Sequence, residues 1–247
     1  NSNIKDILII TGRGKRSLED HFDRSLELEK VLEAKADKQM IENLRQIGDG
    51  ADLFFVRQKE PKGLGHAILC AKQHIGTEPF AVLLGDDIFV SEPAALAQMI
   101  EVYQQNPGVI IAIQEVPDEQ VSLYGIVAGK KISANLFAID GLIEKPTLDK
   151  APSNLAIVGR YIFPAEIFPA LERTKPDQRG EIQLTDAIAL LKESVPVYGY
   201  CFSGKRYDIG SHLSYLTTNV ELALKRPELK DKLKKFLKEI LASDGDN

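Results

Sequence analysis

Short apolar runs that end on glycine or acidic clusters constrain this chain more than any other feature. IKDILIIT (residues 4–11), DLFFVR (52–57), FAVLL (80–84) and VIIAIQE (109–115) are strand-length and rich in β-branched and aromatic residues. Stretches with helical patterning separate them, including 14–48, 65–75 and a helix to about Gln105 with Ser91 as N-cap and Pro93 in its first turn. The first run is almost continuously apolar, the mark of a strand buried on both faces. This β-α-β-α-β-α-β rhythm predicts an α/β fold with a Rossmann-like, doubly wound and mainly parallel sheet. Between Tyr124 and Phe163 the runs YGIVAG, LFAIDGLIEK and LAIVGRYIF follow one another with almost no helix, so antiparallel additions around the sheet are expected, making it mixed. Helical patterning returns over 165–171 and 181–192. A last strand over 195–202 and C-terminal helices over 211–241 close the chain. No repeat or linker divides the sequence, and a single domain over 1–247 is expected.

Composition limits the partners. The 36 acidic and 31 basic residues leave a net charge of -5, so no basic excess exists to offset nucleic-acid phosphates or an anionic membrane. No apolar run approaches the roughly 20 residues of a membrane helix. The chain starts at Asn1 and reaches its first strand by Ile4 without a signal-like stretch, and Cys70 and Cys201 read as two thiols in apolar surroundings. Together these point to a reducing, cytoplasmic setting. His21, His66, His74 and His212 lack metal-ligand spacing, and no Gly-x-Ser-x-Gly elbow occurs. The last helix carries Leu229, Leu233, Phe236, Leu237, Ile240 and Leu241 on one face, with lysines interrupted by acids on the other. That face is expected to pack on the domain or on a second subunit.

In an open α/β sheet, ligands bind beyond the carboxyl ends of the strands, and several unusual clusters fall there. Gln58 to Gly65 follows DLFFVR. Its glycines admit close backbone approach to a ligand, or simply make a strand-to-helix turn. Gly85-Asp86-Asp87 follows FAVLL. Adjacent carboxylates at the tip of a buried strand are costly unless used, and a hard divalent cation is a natural use. Strand alternation assigns Asp86 to the cation and leaves Asp87 to the turn or to support. Asp208 is either a second ligand or a helix N-cap. Glu144-Lys145-Pro146 offers a carboxylate for sugar hydroxyls and an ammonium for a phosphate, or an exposed ion pair. Pro146 is expected to hold Lys145 extended. The run from Gly180 to Asp186 reads equally as an acidic first helical turn.

The ordered set TGRGKRSLEDHFD, RQKEPKGLGHAI, LLGDD, YGIV, IEKP, APSNLAIVGRYIF, GEIQLTDAI and RYDIGS resembles the bacterial UTP–glucose-1-phosphate uridylyltransferases, a branch of the sugar nucleotidylyltransferase family. The resemblance covers about residues 4–241 and implies a nucleotidyltransferase fold akin to glycosyltransferase A. It implies an Mg²⁺-dependent reaction of UTP with glucose-1-phosphate, giving UDP-glucose and pyrophosphate, in a homodimer or homotetramer. Residue by residue, it implies that Gln58 and the Gly63 backbone hold uracil beside Gly85 and Asp86. Asp86 and Asp208 ligate the metal. Gly125 and Glu144 hold sugar hydroxyls, Lys145 contacts the sugar phosphate, and Gly159, Tyr161, Glu181 and Thr185 border the sugar. Asp86, Lys145 and Asp208 are thereby the implied catalytic set.

The family pattern also includes an apolar strand and a GxGTR loop around the triphosphate, ahead of the match to residues 4–11. Gly12-Arg13-Gly14-Lys15 matches neither that loop nor a Walker loop. Without its neighbour, residues 4–11 would present an apolar strand edge, so the strand and loop are expected to belong to the molecule upstream of Asn1. Two other readings compete on the same residues: a non-catalytic nucleotide-sugar-binding subunit, and a nucleotidylyltransferase for another base or sugar. A metal-dependent glycosyltransferase would share Gly85-Asp86-Asp87 but leave IEKP and GEIQLTDAI unexplained.

Overall fold

The computed structural model describes residues 2–243. In chain order the elements are β1 (Asp6–Thr11), α1 (Arg16–Phe22), α2 (Leu26–Ala34), α3 (Lys38–Asp49), β2 (Asp52–Arg57), α4 (Gly63–Leu69), α5 (Lys72–Ile75), β3 (Phe80–Leu83), β4 (Asp87–Val90), α6 (Ala95–Gln105), β5 (Val109–Glu115), β6 (Gly125–Lys131), β7 (Leu136–Glu144), β8 (Leu155–Phe163), α7 (Ile167–Arg173), α8 (Leu184–Leu191), β9 (Val197–Tyr200), β10 (Lys205–Asp208), α9 (His212–Leu224) and α10 (Pro227–Ser243).

The sheet is mixed, but not in the way the alternating rhythm suggests. Its six strands run β3-β8-β5-β9-β7-β6, and only β5 and β9 pair in parallel. β3 and β5 do point the same way, because each is antiparallel to β8, which lies between them. The expected antiparallel additions therefore enter the middle of the sheet as well as its edge. The cause is visible in β8 itself: eight of its nine residues, all but Arg160, are buried. A strand apolar on both faces requires a central position. β1 and β2 pair in parallel as a separate two-stranded sheet.

Strand β5 organises the core. Val109, Ile111 and Ile113 face one layer with α7 and α8, including Phe168, Leu171 and Ile188. Ile110 and Ala112 face the other layer, against Met99 of α6. The period-2 alternation of a strand assigns the two sets to opposite faces.

Several boundaries differ from the sequence reading. Residues 87–90 form β4 rather than leading into a helix, and α6 starts only after Ala94, so Ser91 caps nothing. Pairing explains this: β4 lies antiparallel to β10, with Asp87 opposite Asp208, and Phe89 packs against Phe202 and under the Arg160 guanidinium. The helix expected over 65–75 divides into α4 and α5, and the stretch before β2 forms three helices. The strand expected over 195–202 shortens to β9, followed by β10. Ser211, not Asp208, caps α9, in a reciprocal capping box with Ser214. α10 packs on α9. Of its expected apolar face, Leu233 and Leu237 are half-buried, while Leu229, Phe236 and Leu241 remain exposed.

Helix α9 is fastened to β10 through Tyr207. This buried phenol donates to Glu221 Oε1 at 2.7 Å and accepts from Lys225 Nζ at 2.7 Å, while Lys205 Nζ grips both Glu221 oxygens at 2.6 and 2.7 Å. Lys205 first, then the Tyr207 hydroxyl, hold the Glu221 carboxyl down at about 2. A carboxylate depressed on folding adds stability above its unfolded value of 4.5, and that contribution is lost as pH falls towards the folded value. The difference in urea midpoint between the wild type and Glu221→Gln is therefore largest above pH 4.5 and shrinks on acidification towards about 2. A difference independent of pH would refute this.

Candidate active site

Residues from distant parts of the chain meet where β4 and β10 pair. The loop after β3 is stapled to β8: Leu84 N donates to the Gly159 carbonyl at 2.8 Å, and Arg160 donates to the carbonyls of Leu84 and Asp87 at 2.9 and 2.7 Å. Within this loop Asp86 is exposed and Asp87 buried, as alternation requires. Asp87 is consumed internally. One oxygen accepts from Arg206 Nε at 2.5 Å and the other from the Gly159 amide at 2.9 Å. Arg206, 8% exposed at its side chain, also donates from Nη2 to Asp208 Oδ2 at 3.0 Å.

Asp86 and Asp208 converge. The Ile209 amide donates to the Asp86 carbonyl at 2.8 Å, drawing the two loops together. A Cβ placed on Gly210 would lie 3.1 Å from Asp208 Oδ1 and 3.6 Å from Asp86 Oδ2, so both carboxylates flank one point. Burial works against the charge on Asp208, but the Gly210 amide, the Tyr124 hydroxyl and the Arg206 guanidinium outweigh it and lower its pKa. Among the described residues no group of three or more His, Cys, Asp or Glu is placed to hold a metal ion. The two carboxylates fit a hard cation whose remaining ligands are phosphate oxygens and water.

A cavity of about 290 Å³ lies beside this point and is lined by Gly125, Glu144, Lys145, Tyr161, Glu181 and Thr185, six of the seven residues expected at the sugar. Glu144 Oε2 accepts from Thr185 Oγ1 at 3.0 Å. Gly125 pairs with Glu144 across the β6–β7 hairpin, and a Cβ there would stand 3.0 Å from Thr185 Cγ2 and 3.2 Å from Glu144 Oε2. Burial first, then the Glu144 and Asp87 carboxylates, push the Tyr161 phenol well above its usual pKa, so it stays neutral.

The seventh residue, Gly159, lines a larger adjoining cavity of about 880 Å³ together with Asp86, Asp87, Arg206 and Asp208. There it stands beside the acidic cluster. A Cβ on it would collide with Asp87 Oδ2 and lie 2.8 Å from Leu84 Cβ. Tyr124, Lys145 and Tyr161 line both cavities and so join them.

Lys145 departs from expectation. Its φ is 43°, not extended. Its amide donates to the Tyr124 carbonyl at 3.1 Å, one position past the last β6–β7 pair, before the chain turns at Pro146. A left-handed conformation ahead of proline is doubly disfavoured, at a cost of about 1–3 kcal/mol. It also breaks strand alternation. Glu144 and Lys145 thereby line the same cavity, with Lys145 Nζ 3.9 Å from Glu144 Oε1.

Of the residues expected at the nucleotide base, Gln58 and Gly63 lie where β2 leads into α4. Gln58 extends the β1–β2 pairing through its amide and the Thr11 carbonyl, 2.8 Å. Gln58 Nε2 donates to the Gly63 carbonyl at 3.2 Å and lies 2.9 Å from His66 Nδ1. Gly63 has φ 84°, and a Cβ on it would sit 2.9 Å from Glu181 Cβ. Backbone bonds from Ile182 N to the Lys62 carbonyl and from Gly65 N to the Ile182 carbonyl, both 2.9 Å, tie this turn to the Glu181 segment. Gln58, Gly63 and Gly85 line neither cavity; Gly85 flanks Asp86 on the exposed loop.

The sequence reading passed over Arg206 and Tyr124. Both stand in quoted motifs, RYDIGS and YGIV, and a buried Asp87 calls for a cation. The sequence alone does not say which basic residue supplies it.

Comparison with known proteins shows the family. The nucleotidyl transferase family model matches residues 1–225. The UTP–glucose-1-phosphate uridylyltransferase of Staphylococcus haemolyticus (strain JCSC1435) is 49% identical over 237 residues, covering 96% of this chain and 82% of the relative. The enzyme of the same name from Bacillus subtilis (strain 168) is 47% identical over 238 residues, with the same coverage. Among solved structures, a UTP-bound UGPase from Acinetobacter baumannii superposes with a TM-score of 0.87 at 38% identity, over 96% of this chain and 84% of that one. A UDP-glucose pyrophosphorylase complexed with UDP-glucose superposes with a TM-score of 0.82 at 42% identity, over 90% and 82%.

The close approach of Gly159 to Asp87 generates a direct expectation. Gly159→Ala loses at least the roughly 1–3 kcal/mol typical of overpacking, because the added methyl displaces the Asp87 carboxylate from its amide and its arginine. Urea unfolding measures it; wild-type stability would show that the approach is not needed.

Proposed function

The chain belongs to the nucleotidyl transferase family, and we propose that it transfers the uridylyl group of UTP to glucose-1-phosphate, releasing pyrophosphate and UDP-glucose. The observation that carries the reaction type is the junction of the two cavities. Lys145 and Tyr124 wall both, so a sugar seated on Glu144 presents its phosphate towards Asp86 and Asp208. The choice of uracil and glucose rests on relatives 47–49% identical over 96% of the chain.

A phosphate monoester is already ionised at neutral pH, so its oxygen attacks the α-phosphorus without a general base. One P–O bond forms as the bond to pyrophosphate breaks. The residues have to align the two phosphates and offset their charge. Gln58 and the Gly63 backbone receive the base, with Gly85 and Asp86 beside the phosphates. Glu144, steadied by Thr185, accepts sugar hydroxyls over Gly125, which leaves room for the ring. Tyr161 and Glu181 close the pocket, and Gly159 keeps the floor of the adjoining cavity open. Lys145 meets the sugar phosphate. Asp86 and Asp208 hold Mg²⁺, which when bound neutralises and polarises phosphate oxygens.

The exposed apolar residues of α9 and α10, including Leu213, Leu216 and Phe236, are assigned to contact between copies in a homodimer or homotetramer. Among the described residues no helix is long and apolar enough to cross a membrane.

Pyrophosphate release with each nucleoside triphosphate and glucose-1-phosphate tests the reaction. Turnover is expected with UTP; UDP-glucose binding without turnover would replace the enzyme by a binding subunit. Asp86→Asn is expected to lower kcat on the order of 10²-fold or more. Lys145→Ala is expected to raise the KM for glucose-1-phosphate roughly tenfold or more, the worth of a charge-assisted hydrogen bond. Near-normal kinetics in either variant removes that residue from the site. Light scattering on Leu216→Glu/Phe236→Glu is expected to give a monomer where the wild type is an oligomer; an unchanged mass rejects the α9–α10 contact.

A further inference from the structure

Asp208 is held by more donors than a surface carboxylate needs. Its Oδ2 accepts two hydrogen bonds, from the Tyr124 hydroxyl and from Arg206 Nη2, both 3.0 Å. Its Oδ1 accepts the Gly210 amide at 2.9 Å and faces the point shared with Asp86. The arrangement is asymmetric. Two side-chain donors fix one oxygen and with it the rotation of the carboxylate. The other oxygen keeps a lone pair turned towards Asp86.

The two donors are themselves located from different directions. Arg206 is anchored by Asp87, and its guanidinium lies 5.1 Å over the Tyr124 ring. Tyr124 is fixed by its backbone, whose carbonyl receives the Lys145 amide at the end of the β6–β7 hairpin. The phenol is about half-buried between the two cavities.

We propose that Tyr124, acting together with Arg206, is a positioning residue for the Asp208 carboxylate: its hydroxyl holds Oδ2 so that Oδ1 is preset, beside Asp86, to ligate a divalent cation. This rests on the reading of Asp86 and Asp208 as the cation ligands and adds to it a role for a hydroxyl that touches neither the cation nor the reacting atoms. Groups that orient a metal-ligating side chain typically change metal affinity 10–100-fold when removed.

The test is a titration of the full chain with Mn²⁺ alone, followed by electron paramagnetic resonance, for the wild type and Tyr124→Phe. The phenylalanine keeps the ring under Arg206 and the wall of both cavities. The Mn²⁺ Kd is expected to rise about tenfold in the variant. The Tm is expected to hold. An unchanged or lower Kd overturns the proposal. So does a raised KM for the sugar phosphate with unchanged Kd, which would give the hydroxyl to the sugar. Should Tyr124→Phe fail to fold, Tyr124→Leu decides: it also removes the hydroxyl and keeps apolar bulk beside Arg206, and a wild-type Kd there overturns the proposal equally. Because Mn²⁺ binding is read without substrate, a chain that binds Mn²⁺ as expected but does not turn over UTP would reject the reaction while leaving the positioning intact.

Discussion

The Arg206 guanidinium is the interaction on which the cleft depends. β4 and β10 pair with Asp87 directly opposite Asp208, and like charges facing each other across two strands repel. Arg206 removes the conflict by donating from Nε to one and from Nη2 to the other, a division that suits a planar fork and not a lysine ammonium. Breaking a buried pair of this kind typically costs about 3–5 kcal/mol, because the remaining charge is left without a partner. Here two carboxylates would lose their shared cation, and the loops they sit on carry Asp86, Ile209 and Gly210. Gly159 is part of the same requirement: its missing side chain is the space in which Asp87 accepts an amide.

From this clasp outward, the architecture places two cavities side by side. β8 runs through the middle of the sheet and supplies Gly159 to the acidic end and Tyr161 to both cavities. β6 and β7 bring Tyr124, Gly125, Glu144 and Lys145 to their end, and the start of α8 adds Thr185. The turn after β2 is zipped to the Glu181 segment by Lys62, Gly65 and Ile182, so the turn that holds Gln58 and Gly63 is mechanically continuous with the cavity that Glu181 lines.

Much of this was legible in the sequence, for physical reasons. Asp86 and Asp87 were separable because alternation sends neighbours to opposite faces, and the pair indeed divides into an exposed and a buried carboxylate. The residues expected at the sugar come from separate motifs, and six of the seven line one cavity. What failed was what depends on distant pairing. Residues 87–90 read as a lead into a helix because β10, their partner, lies more than a hundred residues away. β8 read as a peripheral strand although its apolar residues on both faces already required a central one. Arg206 and Tyr124 could not be matched to Asp87 and Asp208 before the fold brought them together. Gly159 lines only the cavity with the carboxylates, while Tyr161, two positions on, lines both.

The failed expectation at Lys145 is the most informative, because a local rule lost to the needs of the cleft. An extended Lys145 would have pointed away from Glu144, since consecutive strand residues face opposite sides. A carboxylate for hydroxyls and an ammonium for a phosphate would then lie on different surfaces, and a single sugar phosphate could not meet both. The left-handed turn at φ 43°, fixed by the bond from the Lys145 amide to the Tyr124 carbonyl, sets both side chains along one cavity. Strain of about 1–3 kcal/mol at such a position persists only where the surroundings over-determine it. Here the surroundings are the hairpin ladder on one side and Pro146 on the other. For a transfer that needs alignment and charge rather than a proton acceptor, one strained residue that brings adjacent side chains to the same cavity is a sufficient device.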